Sequence, residues 1–174
     1  MPAESEAVCL RQELARWQDA AMAAMVDCLI LVDLQTAFAS GPNAGAPGTE
    51  DEPGTPGWAL FFEPAPGETV IRKATDDGFE GTDLGDILAA SRIRRLAITG
   101  VMSEMCVSAT ARSALHRGLA VVLPHDAHAT YDIPAAPRIA PAVPAAMVSR
   151  VAEWALGDQL ELVATSRDVL FTAA

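Results

Sequence analysis

The sequence predicts an α/β fold: a doubly wound, mainly parallel sheet with helices on both faces, a three-layer α/β/α arrangement. Three observations predict it. Short runs rich in Val, Ile and Leu recur along the chain, with the near-continuous hydrophobicity of strands buried on both faces. Stretches of helical character alternate with them. Reactive side chains fall directly after several of the runs, at the strand ends where open α/β sheets place their sites.

Taken in order, residues 4–25 read as a helix, with Val8, Leu10, Leu14, Trp17, Ala21 and Met25 at roughly helical spacing and charges between them. Cys28 to Val32 is the first buried strand and ends in Asp33, with Gln35 and Phe38 just beyond. Residues 39–68 hold half of the chain's 12 glycines and half of its 12 prolines, which rules out a long helix or a central strand there. This is a long loop, and Trp58, Phe61 and Phe62 within it either anchor it to the body or wall a pocket. Thr69–Lys73 is a strand, Asp83–Ala90 a helix capped by Thr82 or Asp83, and Leu96–Thr99 a strand. Residues 103–116 contain the next helix, ending before Gly118. Leu119–Leu123 is a strand stopped by Pro124. Residues 138–156 read as the last helix, with prolines 137, 141 and 144 crowding its start so that the regular helix can begin only near Ala145, and Leu160–Ala164 closes the chain as an edge strand. About five strands result, within one domain spanning residues 1–174.

A chain of 174 residues with 51% hydrophobic residues is neither disordered by composition nor equipped with an apolar run long enough to cross a bilayer. The N-terminus lacks the layout of a signal peptide, so a cytoplasmic protein is expected. The net charge of −11 argues against nucleic acid or an anionic membrane as partner and leaves a small molecule as the expected one. Three widely spaced cysteines form neither a disulfide framework nor a metal knuckle.

The segment Gly100-Val101-Met102-Ser103-Glu104-Met105-Cys106-Val107-Ser108-Ala109-Thr110 places Cys106 where a strand turns into a helix. The helix start offers N–H groups and a positive dipole end, both of which favour a thiolate nucleophile. Cys9 and Cys28 read as small buried hydrophobes. Three strand ends each deliver one reactive group: Asp33, Lys73 and Cys106. A carboxylate can take the thiol proton, an ammonium can lower the thiol pKa and hold the carboxylate, and backbone N–H groups can bind an oxyanion.

These residues resemble the cysteine hydrolases of the isochorismatase-like superfamily. The resemblance is carried by Leu31-Val32-Asp33-Leu34-Gln35, by Lys73 with Phe79, Thr82 and Leu84 after it, by Gly100-Val101 leading to Cys106-Val107 and Thr110, and by Asp126-Ala127 with Thr130. It implies an Asp33–Lys73–Cys106 triad that cleaves a small amide, carbamoyl or related C–N bond through a thioester. It also implies a non-proline cis peptide at Val101–Met102, with the Met102 and Cys106 N–H groups as oxyanion donors. Gln35, Phe38 and Tyr131 are candidate substrate-binding residues; Gln35 can equally cap a turn and Tyr131 can equally serve packing. Asp126 reads as a turn cap. No cofactor is expected.

Two departures from the family pattern stand out. The family has a helix and a further strand between the first Asp and the Lys, whereas the stretch after Asp33 here is Gly/Pro-rich, so the sheet is expected to be shortened and residues 1–27 to be a helical extension. Nicotinamide-cleaving members carry an Asp-x-His…His metal cluster on that segment. Here only His116, His125 and His128 occur, all late, and a hydrogen-bonding role is expected for the latter two rather than a metal. Two other readings follow from the resemblance: a vinyl ether hydrolase of the isochorismatase type, against which the retained Cys106 argues, and a non-catalytic binding or assembly protein, against which the triad argues. A homodimer or higher homo-oligomer is expected, with residues 39–68 near the interface or the pocket mouth.

Overall fold

The computed structural model describes residues 5–10, 23–39 and 54–172, the first of these as backbone. Its strands are β1 (Ser5–Leu10), β2 (Ala24–Val26), β3 (Cys28–Val32), β4 (Thr69–Lys73), β5 (Arg95–Val101), β6 (Ala120–Pro124), β7 (His128–Ala129), β8 (Leu160–Val163) and β9 (Val169–Phe171). The α-helices are α1 (Thr36–Ala39), α2 (Leu84–Ala90), α3 (Ser108–His116) and α4 (Ala145–Ala155). A seven-stranded sheet runs β4-β1-β3-β5-β6-β8, with β7 pairing the end of β5; β2 and β9 form a separate parallel pair.

Strands β3, β5, β6 and β8 are mutually parallel, and β1 runs antiparallel to both β3 and β4. It follows that β4 points the same way as β3, so the C-terminal ends of β3, β4 and β5 share one edge of the sheet. Side chains alternate between two buried faces, as in a doubly wound α/β sheet. Cys28, Ile30, Val32, Leu96, Ile98, Val121 and Leu123 meet Leu84 and Leu88 of α2 and Ala111 and Ala114 of α3. Leu29, Ala97 and Val122 face the other way, into a smaller core with Ala24, Val26, Val163, Val169 and Phe171.

The N-terminal helix is the main correction. Ser5–Leu10 and Ala24–Val26 are strands, Ala23 is not helical, and residues 4 and 11–22 of the expected helix lie outside the described residues. Ala7-Val8-Cys9-Leu10 is an apolar run that periodicity alone does not assign, and two ladder partners decide it. Strand β1 thereby fills the place between β3 and β4 that the shortened loop leaves open. Five strands were expected from the sequence; β1 and the two-residue β7 complete the seven, and β2 and β9 are additional. Helix α4 begins at Ala145 as expected, behind Pro144 and with its first N–H donated to Asp132 Oδ1 at 2.7 Å.

Within residues 54–68 the loop docks back on the exit of β3. Thr36 N–H donates to Ala59 O at 2.7 Å and Phe61 N–H to Leu34 O at 2.8 Å. Trp58 is buried, with the Arg72 guanidinium over its ring, while Phe61 and Phe62 are exposed. Gly100 has φ +116°, and a Cβ there would lie 2.0 Å from Val32 O. Only glycine lets β5 approach β3 this closely at the edge where Asp33 follows Val32.

Candidate active site

Asp33 follows β3 in a left-handed backbone conformation, φ 50°, which short polar side chains tolerate best. Lys73 is the last residue of β4. Its Nζ lies 2.9 Å from Asp33 Oδ2, with side chains only 1% and 5% exposed, and also donates to Thr75 O at 3.1 Å. Asp33 Oδ1 is buried and has no hydrogen-bond partner among the described residues. Burial opposes the Lys73 ammonium, but the charge and hydrogen bond of Asp33 outweigh it, helped by Cys106, and the net pKa is raised. Lys73 therefore stays charged at neutral pH.

Cys106 lies in a π-helical turn, Ser103–Val107, that precedes α3, and Val107 N–H closes the wide turn on Met102 O at 3.2 Å. Such turns recur at functional sites. The Val101–Met102 peptide bond is cis, as the resemblance implied. The thiol is half-buried and donates to Asp76 Oδ1 at 3.6 Å. Burial pushes the Cys106 thiol far up from its ordinary value, Asp33 and Asp76 push the same way, and Lys73 pulls only partly against them. Desolvation and the two carboxylates prevail over the ammonium and the dipole of the turn, the two features that favour a thiolate in the sequence. The unpartnered Oδ1 of Asp33 is left as an available proton acceptor beside the cavity.

A cavity of about 220 Å³ opens over these groups, lined by Asp33, Phe38, Lys73, Asp76, Met102 and Cys106 together with Ala74, Thr75, Val101 and Met105. Phe38 and Met102 thus stand where the sequence expected site residues. Gln35 and Tyr131 do not line it. Gln35 is fully buried, with both side-chain amide atoms unpartnered among the described residues. Tyr131 is half-buried; burial and the nearby Glu104 raise its pKa. Trp58, Phe61 and Phe62 also lie off this cavity, so Trp58 serves as an anchor.

Asp76 joins the site although no motif in the sequence marks it. Its only signal was its place three positions after Lys73, on the loop from β4 to α2. That loop is pinned by the other motif residues. Gly78 N–H donates to Thr110 Oγ1 at 3.0 Å, Thr82 Oγ1 donates to Gly78 O at 2.6 Å, and Phe79, Leu84 and Thr110 are buried. Asp126 caps the turn at Ser166, accepting its N–H and hydroxyl. His125 Nδ1, His128 Nε2 and a Glu153 oxygen lie within 4.8 Å of one another, close enough to share a metal ion, but the two histidines already meet Glu153 Oε1 and Arg150 sits 3.2 Å from Oε2.

The isochorismatase domain model matches residues 6–140. The chain belongs to the isochorismatase family. A streptothricin hydrolase from Streptomyces noursei is 50% identical over 182 residues, covering 86% of this chain and 72% of the relative. An isochorismatase from Pseudomonas putida KT2440 shares the fold with a TM-score of 0.68 at 24% identity, covering 88% of this chain and 92% of its own. A hydrolase of the isochorismatase family from Chromobacterium violaceum gives a TM-score of 0.65 at 25% identity, covering 90% and 96%. Among the described residues no helix of this family member is long and apolar enough to cross a membrane.

Proposed function

We propose that this isochorismatase-family hydrolase cleaves an amide or related C–N bond by covalent catalysis at Cys106. The observation that carries the reading is the meeting of Asp33, Lys73 and Cys106 in one cavity at the shared edge of β3, β4 and β5. Asp33 takes the Cys106 proton as the sulfur attacks the substrate carbonyl carbon. The oxyanion is held by the Met102 and Cys106 N–H groups. The C–N bond breaks, and the protonated Asp33 returns its proton to the departing nitrogen, which an amine needs in order to leave. Water, deprotonated by Asp33, then attacks the thioester, and the thiol is released with its proton restored. Lys73 keeps Asp33 oriented and offsets its charge. Phe38, Met102 and Met105 give the cavity an apolar wall. Gln35 and Tyr131 do not line the cavity and take no part in this mechanism. The chain works as a homo-oligomer.

The similarity to streptothricin hydrolase makes streptothricin the first compound to assay. Turnover by the wild type with a loss of at least about a thousandfold in Cys106→Ala and Cys106→Ser, both folded, is the expected result. Mass spectrometry of quenched reactions should show an acyl adduct on Cys106. Near-native rates in Cys106→Ala would overturn the covalent mechanism and favour vinyl ether hydrolysis.

A further inference from the structure

Behind the nucleophile turn lies a buried polar chain that the mechanism above does not use. Glu153, on α4, has a side chain with no exposure, and so does His128, on β7. Glu153 Oε1 is 3.1 Å from His128 Nε2. The other ring nitrogen, Nδ1, is 2.8 Å from Ser103 Oγ, which is 3.0 Å from Ser149 Oγ of α4. Ser103 is the first residue of the π-helical turn that carries Cys106, and its carbonyl accepts the Ser108 hydroxyl at 2.7 Å.

With His128 neutral, the chemistry of these atoms gives each bond a direction. A carboxylate oxygen only accepts, so His128 Nε2 carries the proton. Burial, which outweighs the carboxylate beside it, lowers the pKa of His128, so the ring is neutral and Nδ1 accepts. The Ser103 hydroxyl must then donate to Nδ1, and its oxygen is left to accept from Ser149. One orientation of Ser103 satisfies the whole chain, whereas a serine with a free hydroxyl has three.

We propose that Glu153 and His128 are positioning residues that, through Ser103, lock the start of the nucleophile turn and so set the Met102 and Cys106 N–H groups and the sulfur against the substrate carbonyl. The proposal rests on the reading of Cys106 as nucleophile. Misplacement by about 1 Å costs as much as a hundredfold in rate. The effect should therefore fall on kcat rather than on KM.

The test compares Ser103→Ala, Ser103→Thr, His128→Gln and His125→Ala for kcat, KM, thermal stability and the rate at which iodoacetamide labels Cys106, scored by peptide mass. Ser103→Ala and His128→Gln are expected to lower kcat about tenfold or more with KM within about threefold. Both should speed labelling several-fold as the turn releases the thiol from its buried place. Ser103→Thr, which keeps the hydroxyl, should restore both readouts, and His125→Ala, which removes the other histidine on Glu153 Oε1 but keeps the His128–Ser103 bond, should lower kcat less than His128→Gln. A folded Ser103→Ala with wild-type kcat and labelling overturns the proposal. So does a Ser103→Ala that does not fold, since the chain would then serve the fold and not the turn. So does one zinc ion per wild-type chain that is lost, together with activity, in His125→Ala. Labelling needs no substrate: the expected labelling pattern without amide turnover would sink the amidase reading and leave the positioning role standing.

Discussion

Lys73 Nζ and Asp33 Oδ2 form a 2.9 Å ion pair whose two side chains are almost wholly withdrawn from water. Such a pair adds little net stability over an apolar one, but losing one member strands a buried charge. Lys73→Met should lower unfolding free energy by about 3–5 kcal/mol in urea titration and abolish turnover. A stability change under about 1 kcal/mol would mean that water reaches Asp33 in solution.

The raised Cys106 pKa gives a second expectation, with a definite sign. A thiol whose folded pKa exceeds its unfolded value favours the folded state below the ordinary value of 9.0, and that contribution is lost as pH rises through the folded pKa. Wild-type protein should therefore lose stability relative to Cys106→Ala as pH climbs above 9. In the absence of substrate, iodoacetamide should label Cys106 slowly at pH 8 and faster only in alkaline solution. Rapid labelling at neutral pH would show that the resting residue is a thiolate.

The candidate site was legible because its residues sit at strand ends. Asp33, Lys73 and Cys106 each follow an apolar run, and parallel strands bring such ends together whatever fills the loops. Asp76 was not legible, because a loop carboxylate near a motif looks like any solvated acid until the loop is folded against Thr110. Strand β1 was not legible either. Its apolar residues fit a helical stripe and a strand about equally, and the ladder partners that settle the matter are more than 15 residues away in sequence. The direction of the Cys106 shift is hidden in the sequence for a related reason: dipole and ammonium are visible in a motif, but desolvation is a property of the packed molecule.

Gly100→Ala should be among the most damaging single-methyl additions in this chain. The new Cβ meets the Val32 carbonyl at 2.0 Å, and φ +116° is itself strained for alanine. A loss of more than about 4 kcal/mol, or failure to fold, is expected by circular dichroism and urea unfolding. A well-folded, active Gly100→Ala would mean that β3 and β5 are further apart at this edge.

Turnover should survive prolonged chelation. Lys73 already holds Asp33 Oδ2, and none of His125, His128 and Glu153 lines the cavity over Cys106. Activity measured before and after treatment with a strong chelator should agree within about twofold, a change smaller than the effect of one lost hydrogen bond. Loss of activity restored by zinc would reassign the reaction to metal chemistry.

The last expectation concerns assembly. Strand β1 lies between β3 and β4, so no unpaired edge arises there to drive association. A different surface supplies the motive. Met147, Val151 and Trp154 lie at i, i+4 and i+7 on α4 and are all exposed, Trp154 by 78%, while the opposite face of the helix buries Val148 and Ala152. An apolar stripe of this kind on a charged chain suits a symmetric contact with a second copy of itself, the commonest form of homo-oligomer. At micromolar concentration, sedimentation should give at least twice the 18.2 kDa chain mass. Trp154→Glu places a charge in the middle of that contact and should shift the protein to a single 18.2 kDa species with its circular dichroism unchanged. A wild type that sediments as a monomer refutes the assembly. A Trp154→Glu that stays dimeric moves the contact off α4.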